Sequence, residues 1–120
     1  MNYLVLYQLT NMDGLSLGPK RNYEDFKKQI PKSLFFMFDS LREYCLSLGS
    51  NVVEDVRAHR IVFGKSLSFR WFVDLEPEGN SIIVKIQRDR KESFQTKTIT
   101  NEQELDALKA TISDAYNTIH

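Results

Sequence analysis

Five basic residues and one phenylalanine between positions 57 and 97 fall in or beside segments that predict β-strands. Basic groups around an exposed aromatic ring are typical of surfaces that bind single-stranded nucleic acid, because the cations contact phosphates and the ring stacks on bases. A solvated sheet face is the alternative, since residues 52–98 hold nine basic and seven acidic residues, a net charge of only +2. The candidate binding residues for nucleic acid or another partner are Arg57, Arg60, Arg70, Phe72, Lys85 and Lys97.

Groups suited to nucleophilic catalysis are few. The chain has two histidines, His59 in a predicted turn and His120, and one cysteine, Cys45. It has neither a G-x-S-x-G segment nor a glycine-rich phosphate loop with its lysine, so the sequence supports neither a hydrolase triad nor a nucleotide cradle. Cys45 falls on the apolar stripe of a predicted helix, which is typical of a free thiol packed in a core.

A magnesium-dependent nuclease is the remote enzymatic alternative. Acidic residues at strand ends can hold Mg²⁺ while a lysine stabilises the attacking water or the transition state. Asp74, Asp89 and Lys91 have the required types, with Glu76 as a substitute for one acid. Acidic residues are also common in solvated turns, so a binding protein is favoured over an enzyme, and we expect no cofactor or metal.

A protein-interaction surface is the other alternative. The predicted helix at 33–48 has a regular apolar stripe and carries further apolar residues beside it, which exceed what one buried face needs. Either another element of the chain covers these residues or a partner does, including a second copy in a homodimer, because exposed apolar patches are uncommon in monomers. The candidate interaction residues are Phe36, Met37 and Tyr44.

The composition is that of an ordinary globular domain. The chain has 120 residues, 42% of them hydrophobic and 27% charged, which is enough to bury a core. Sixteen basic and sixteen acidic residues balance, so no overall field attracts nucleic acid or an anionic membrane. The N-terminal segment has neither a basic region nor a long apolar run, which predicts no membrane partner and a cytoplasmic location. A single cysteine excludes an intrachain disulfide.

Residues 66–88 predict the β-hairpin around which the chain is organised. Apolar residues at 67, 69, 71, 73 and 75 alternate with other residues, and period two indicates a strand with one buried face. Residues 76–80, Glu-Pro-Glu-Gly-Asn, predict the turn, and alternation resumes at 82, 84 and 86. We therefore expect the face with Trp71 to be the core and Arg70, Phe72 and Lys85 to lie on the outer face.

The remaining segments predict one α+β domain over residues 1–120. Residues 1–30 predict a strand at 3–9, a loop at 13–22 and a short helix at 24–30. Residues 31–120 predict a helix at 33–48, strands at 52–57, 60–63, 67–75, 81–88 and 94–100, and a helix at 101–119. Short links favour an antiparallel β-meander of about five strands, to which the N-terminal strand can add, with helices packed on one face.

Several of these segments together resemble a known family. They are the run Leu-Gly-Ser-Asn-Val-Val-Glu at 48–54, Ile-Val-Phe-Gly-Lys at 61–65, Phe69 with Phe-Val-Asp-Leu-Glu-Pro at 72–77, the strand at 82–86, and the helix with Asp-Ala-Tyr at 114–116. The similarity is to an uncharacterised bacterial and archaeal domain family sometimes labelled "predicted transport protein", over about residues 31–119. Residues 88–93 stand where that family has a glycine- and tryptophan-containing segment.

The resemblance implies a biological context for the protein but no specific activity. Domains of this family often accompany restriction-type or other DNA-associated domains, so it implies a DNA-associated or defence-related context and no catalytic residues. Together with the residues above, it predicts a non-enzymatic binding module that uses the outer face of its sheet. A homo-oligomeric interaction subunit without nucleic-acid binding is the alternative.

Overall fold

The computed structural model describes residues 21–66, 68 and 70–119. The strand predicted at 3–9 and most of the loop predicted at 13–22 lie outside these described residues. None of the described helices is both long enough and apolar enough to cross a bilayer.

The described residues form an α+β fold with one antiparallel sheet. Helix α1 spans Tyr23–Lys27, a 3₁₀ turn spans Lys32–Leu34, α2 spans Phe35–Ser47 and α3 spans Glu102–Thr118. The strands are β1 (Val52–Val56), β2 (Ile61–Lys65), β3 (Arg70–Glu78), β4 (Ser81–Ile86) and β5 (Gln95–Ile99). They pair in chain order, each pair antiparallel, because each link is too short for a crossover. The predicted meander is confirmed.

Asparagine side chains begin both α1 and α3. Asn22 accepts a hydrogen bond from the backbone amide three residues later at 2.8 Å, and Asn101 does the same at 2.9 Å. Glu104 accepts from the amide of Thr100, the residue before the cap, at 2.8 Å and from its hydroxyl at 2.9 Å, and these hydrogen bonds hold the pKa of Glu104 below its ordinary value. Ser33 lies inside the 3₁₀ turn, so the helix predicted from residue 33 begins at Phe35.

The turn between β3 and β4 is tighter than the sequence predicts. Pro77 is part of β3 and pairs with Ile82, so only Gly79 and Asn80 lie outside the strands. Gly79 has φ +58°, a backbone conformation that glycine adopts without steric cost.

The helices cover one face of the sheet, and the opposite face is called the outer face below. Helix α2 packs against β1, and α3 packs against β3 and β4. The core between them contains apolar side chains from β2 to β5 and from the three described helices, with Val52 and Val56 of β1 packed against it. Its members include Phe26, Phe38, Leu41, Phe63, Leu75, Ile82, Ile86, Ile99, Leu105 and Ile112.

A bulge in β3 reverses the faces predicted for the residues before Val73, whereas Val73 and Leu75 face the core as predicted. Phe63 of β2 pairs with Val73, whereas the next residue, Gly64, pairs with Trp71, so Phe72 is the extra residue of β3. An extra residue interrupts the alternation and brings two neighbours to one side. Phe72 and Val73 are both 0% exposed, while Trp71 is only partly buried. The prediction that Trp71 faces the core and Phe72 faces solvent is therefore wrong.

The bulge brings β2 and β3 unusually close at Gly64. A Cβ atom at this position would lie 2.8 Å from the carbonyl oxygen of Arg70, which is a backbone atom and cannot rotate away. On the helix side, the Phe72 ring meets the Tyr116 ring of α3 edge-on, with 5.4 Å between centroids. The bulge thus moves an aromatic residue of β3 into the contact with α3.

We predict that Phe72→Ala lowers the free energy of unfolding by about 3–5 kcal/mol, as expected for a fully buried phenylalanine. Trp71→Ala removes the larger side chain but leaves no comparable cavity, so its cost is smaller. Chemical denaturation of both variants measures the difference, and Phe72→Leu provides a graded variant that keeps most of the volume. A larger loss for Trp71→Ala than for Phe72→Ala would contradict the assigned faces.

Candidate nucleic-acid interface

Two of the predicted binding residues, Arg57 and Arg60, are engaged in ion pairs on the sheet. Nη1 of Arg60 lies 3.1 Å from Oδ2 of Asp74, and its Nη2 lies 3.3 Å from Oε1 of Glu76. Nε of Arg57 lies 2.9 Å from Oδ2 of Asp55. These carboxylates balance the charge of the two guanidinium groups, which makes this part of the sheet nearly neutral.

The other predicted residues lie on different faces. Residues directly opposite in an antiparallel pair share a face. Lys85 pairs with Asp74 on the outer face, whereas Lys97 pairs with the core residue Val84 and so lies on the helix side of β5. Arg70 pairs with Lys65, whose ammonium donates to the Ile119 carbonyl beyond the end of α3. The predicted outer surface of Arg70, Phe72 and Lys85 is therefore not formed, because only Lys85 lies there.

The outer face has a different aromatic pair, formed by Trp71 and Phe94. Their ring centroids lie 5.9 Å apart with the planes tilted by 59°. Nζ of Lys85 lies 5.6 Å from the Phe94 centroid, and Phe94 is 47% exposed. Sequence reasoning missed this pair because it assigned Trp71 to the core. Two adjacent aromatic residues, at 71 and 72, and a glycine at 64 in the neighbouring strand are the sequence features that indicate a bulge here. A bulge would have placed Trp71 on the outer face, beside Phe94.

A cleft of about 320 Å³ opens at the end of the sheet. Arg70 lies at the start of β3, the linker between β4 and β5 supplies further charged residues, and the end of α3 forms another wall. The lining residues are Arg70, Asp89, Arg90, Lys91, Thr118 and Ile119. Three cations and one acid therefore face a small volume.

Two cations of the linker, Arg90 and Lys91, have no carboxylate partner in the described part of the chain. Nearby acids are bound by Arg88, whose Nη1 lies 3.0 Å from Oε1 of Glu92 and whose Nε lies 2.9 Å from Oδ2 of Asp114. The hydrogen bond to Asp114, with the charges of both acids, raises the pKa of Arg88. Among the described residues, no acidic group is then paired with the side chains of Arg90 and Lys91.

Gln87 holds the linker in place from inside. It is 8% exposed, and its side-chain amide donates to the carbonyl oxygens of Asp89 and of Glu92, the second at 3.0 Å. Oδ1 of Asp89 accepts from the Lys91 amide at 2.9 Å, and the Glu92 amide donates to the Asp89 carbonyl at 3.0 Å. The turn that presents Arg90 and Lys91 is thus ordered before any ligand arrives.

The cleft and the aromatic pair are adjacent along the chain at the end of the sheet. Arg70 directly precedes Trp71, and Lys91 is three residues from Phe94, a separation of at most about 11 Å along an extended chain. We call this region the basic–aromatic surface. It consists of Arg70, Trp71, Lys85, Arg90, Lys91 and Phe94.

The residues proposed for a nuclease have separate roles. Asp74 is 7% exposed and pairs with Arg60, while Asp89 caps the Lys91 amide in the linker. Glu76 also pairs with Arg60. Within the described ranges, no three or more histidine, cysteine, aspartate or glutamate residues are grouped so that they could hold a metal ion.

The predicted interaction residues of α2 are mostly covered by the chain itself. Met37 is 5% exposed, and the hydroxyl of the half-buried Tyr44 donates to the Lys109 carbonyl of α3 at 2.9 Å. Phe36 is 58% exposed. One exposed phenylalanine is ordinary for a monomer surface and does not make a patch.

Comparison of the chain with protein-family models, with curated proteins and with solved structures gave no match. The resemblance to the "predicted transport protein" family therefore stays a prediction.

We predict that Gln87→Leu loosens the linker and lowers the free energy of unfolding by about 1–3 kcal/mol, because two carbonyl groups lose a buried donor. Hydrogen exchange should become faster at the amides of Lys91 and Glu92, which bond within the turn. Gln103→Leu, at an exposed position of α3, is the matched control and should leave both measurements nearly unchanged. Unchanged exchange in the linker of Gln87→Leu would contradict this role.

We also predict that the Cys45 thiol is inert in the folded protein. Cys45 is 0% exposed, as its place on the apolar stripe predicts, and burial together with the charge of Glu54 raises its pKa. Because it is the chain's one cysteine, labelling by a thiol reagent should follow the opening of the fold and accelerate in denaturant. Native-state labelling at the rate of a free thiol would contradict the buried position.

Proposed function

We propose that this protein is a non-enzymatic module that binds single-stranded nucleic acid through the basic–aromatic surface, in a cytoplasmic, nucleic-acid-associated setting. The observation that carries the proposal is the exposed Phe94 ring, which contacts Trp71 and follows by three residues Lys91, one of three cations that line a cleft. Aromatic stacking platforms beside cationic grooves are the common means of binding unpaired strands.

The aromatic pair favours a single strand over a duplex. A base stacks on an aromatic side chain only when its own face is open, which is the case in an unpaired strand. Phe94 is the more accessible ring, while Trp71 supports it from β3 and Lys85 lies over it from β4. Stacking of this kind contributes about 1–3 kcal/mol per base with little dependence on sequence. We therefore expect sequence-tolerant binding.

The distribution of charge also favours the basic–aromatic surface as the binding site. The whole chain is neutral, but the basic–aromatic surface carries four cations, and Asp89 is the acid that lines its cleft. Phosphate contacts release counterions, so affinity should fall steeply with salt. Without an overall positive charge we expect an ordinary non-specific affinity, with Kd of about 10⁻⁴–10⁻⁶ M at physiological salt.

Self-association is less well supported as a function. Of the three residues predicted for it, Met37 and Tyr44 pack within the chain and Phe36 is exposed. The family resemblance favours a DNA-associated or defence-related setting, in which a small strand-binding module is useful. We therefore retain the nucleic-acid proposal.

We predict that a short single-stranded oligonucleotide quenches the fluorescence of Trp71, the one tryptophan of the chain, because a base stacks beside it. Phe94→Ala should weaken binding by about 5- to 150-fold, corresponding to the loss of one stacked base. Replacing the two linker cations that line the cleft, Arg90→Gln with Lys91→Gln, should weaken binding and reduce the slope of log K against log salt by about 0.7 for each lost contact.

Lys32→Gln provides the matched control for charge. Lys32 is exposed, and its neighbour Ser33 contacts Asn80 in the β3–β4 turn, at the opposite end of β4 from the linker. This variant should bind as the unmodified protein does. Absence of quenching and of binding at low salt would end the proposal, as would an equal loss in Lys32→Gln and in the linker variant.

A further inference from the structure

The cleft at the end of the sheet is suited to one small anionic group. Its volume of about 320 Å³ is at the lower end of the range for small-ligand sites, roughly 300–1,000 Å³. The start of β3, the linker and the end of α3 bound it, with Thr118 and Ile119 in its wall. A nucleic-acid strand that entered the cleft would meet the end of α3. The cleft therefore fits the end of such a strand better than its middle.

The charge of the cleft distinguishes between kinds of phosphate. Three cations and one carboxylate line it, and Arg70 also has a contact elsewhere, so Arg90 and Lys91 are the side chains on which binding depends. A phosphodiester inside a strand carries one negative charge, whereas a terminal phosphomonoester carries about −1.5 to −2 at pH 7. A guanidinium group can also bind two oxygens of one phosphate in parallel.

We infer that this cleft binds the terminal phosphomonoester of a nucleic-acid strand whose neighbouring bases stack on Phe94 and Trp71. The inference rests on the proposed function and names the strand end as its preferred ligand. Gln87 is a positioning residue for this site, because its hydrogen bonds order the turn that presents Arg90 and Lys91. The aromatic pair lies close enough along the chain for one strand to reach both.

The test compares four single-stranded oligonucleotides of one sequence: one with a 5′-phosphate, one with a 3′-phosphate, one with hydroxyl groups at both ends, and one closed into a circle. Trp71 quenching and anisotropy of a labelled strand report binding. One of the phosphorylated strands should bind roughly tenfold more tightly than the hydroxyl-ended strand and the circle, as one additional charge-assisted contact provides. The preferred form identifies which end enters the cleft.

The variants separate the two parts of the surface. Arg90→Gln with Lys91→Gln should abolish the preference for a phosphorylated end, while Phe94→Ala should weaken all four strands and keep the preference. Gln87→Leu should reduce the preference without removing binding, and Lys32→Gln should change neither. Equal binding of all four strands would overturn the end-binding inference and leave the proposed function standing. Binding of none of them would overturn the proposed function itself.

Discussion

The close approach of β2 and β3 at Gly64 determines what each residue at the start of β3 can do. Because a side chain at this position would collide with the Arg70 carbonyl, the two backbones approach as only glycine allows, and the strand gains its extra residue there. The bulge sends Phe72 into the core, Trp71 to the outer face and Arg70 to the end of the sheet. Core packing and surface chemistry are therefore set by one local irregularity.

This irregularity also reaches the linker before β5. The Phe72 carbonyl accepts a hydrogen bond from the Gln87 amide at 3.0 Å, and the Gln87 side chain then bonds the carbonyl groups of Asp89 and Glu92. Gln87 thus connects Phe72, whose buried ring contacts α3, to the turn that carries Arg90 and Lys91. Packing of the core and placement of the charged turn should respond together when this region is disturbed.

Much of the architecture could be predicted from periodicity, but the assignment of faces could not. Period two predicts the hairpin of β3 and β4, and the helical stripe predicts that Cys45 lies in the core. The faces of β3 depend on how β2 pairs with it, and the pattern of one strand does not contain that information. Lys97 shows the same limit, because its face is known only once Val84 is seen opposite it. The order of the linker at 88–93 comes from Gln87, which lies in the strand predicted at 81–88, so the sequence pattern does not reveal it.

The position of Lys97 on the helix side of β5 has a consequence for the behaviour of the protein at high concentration. In the sheet of the described residues, β5 is an edge strand, and Lys97 is exposed between two threonines. Another β-strand that paired with β5 would cover the helix side of this edge. It would then have to desolvate the ammonium group of Lys97. Charges directed inwards on an edge strand are a common means of preventing edge-to-edge aggregation. Lys97 thus favours a discrete, soluble particle over sheet extension.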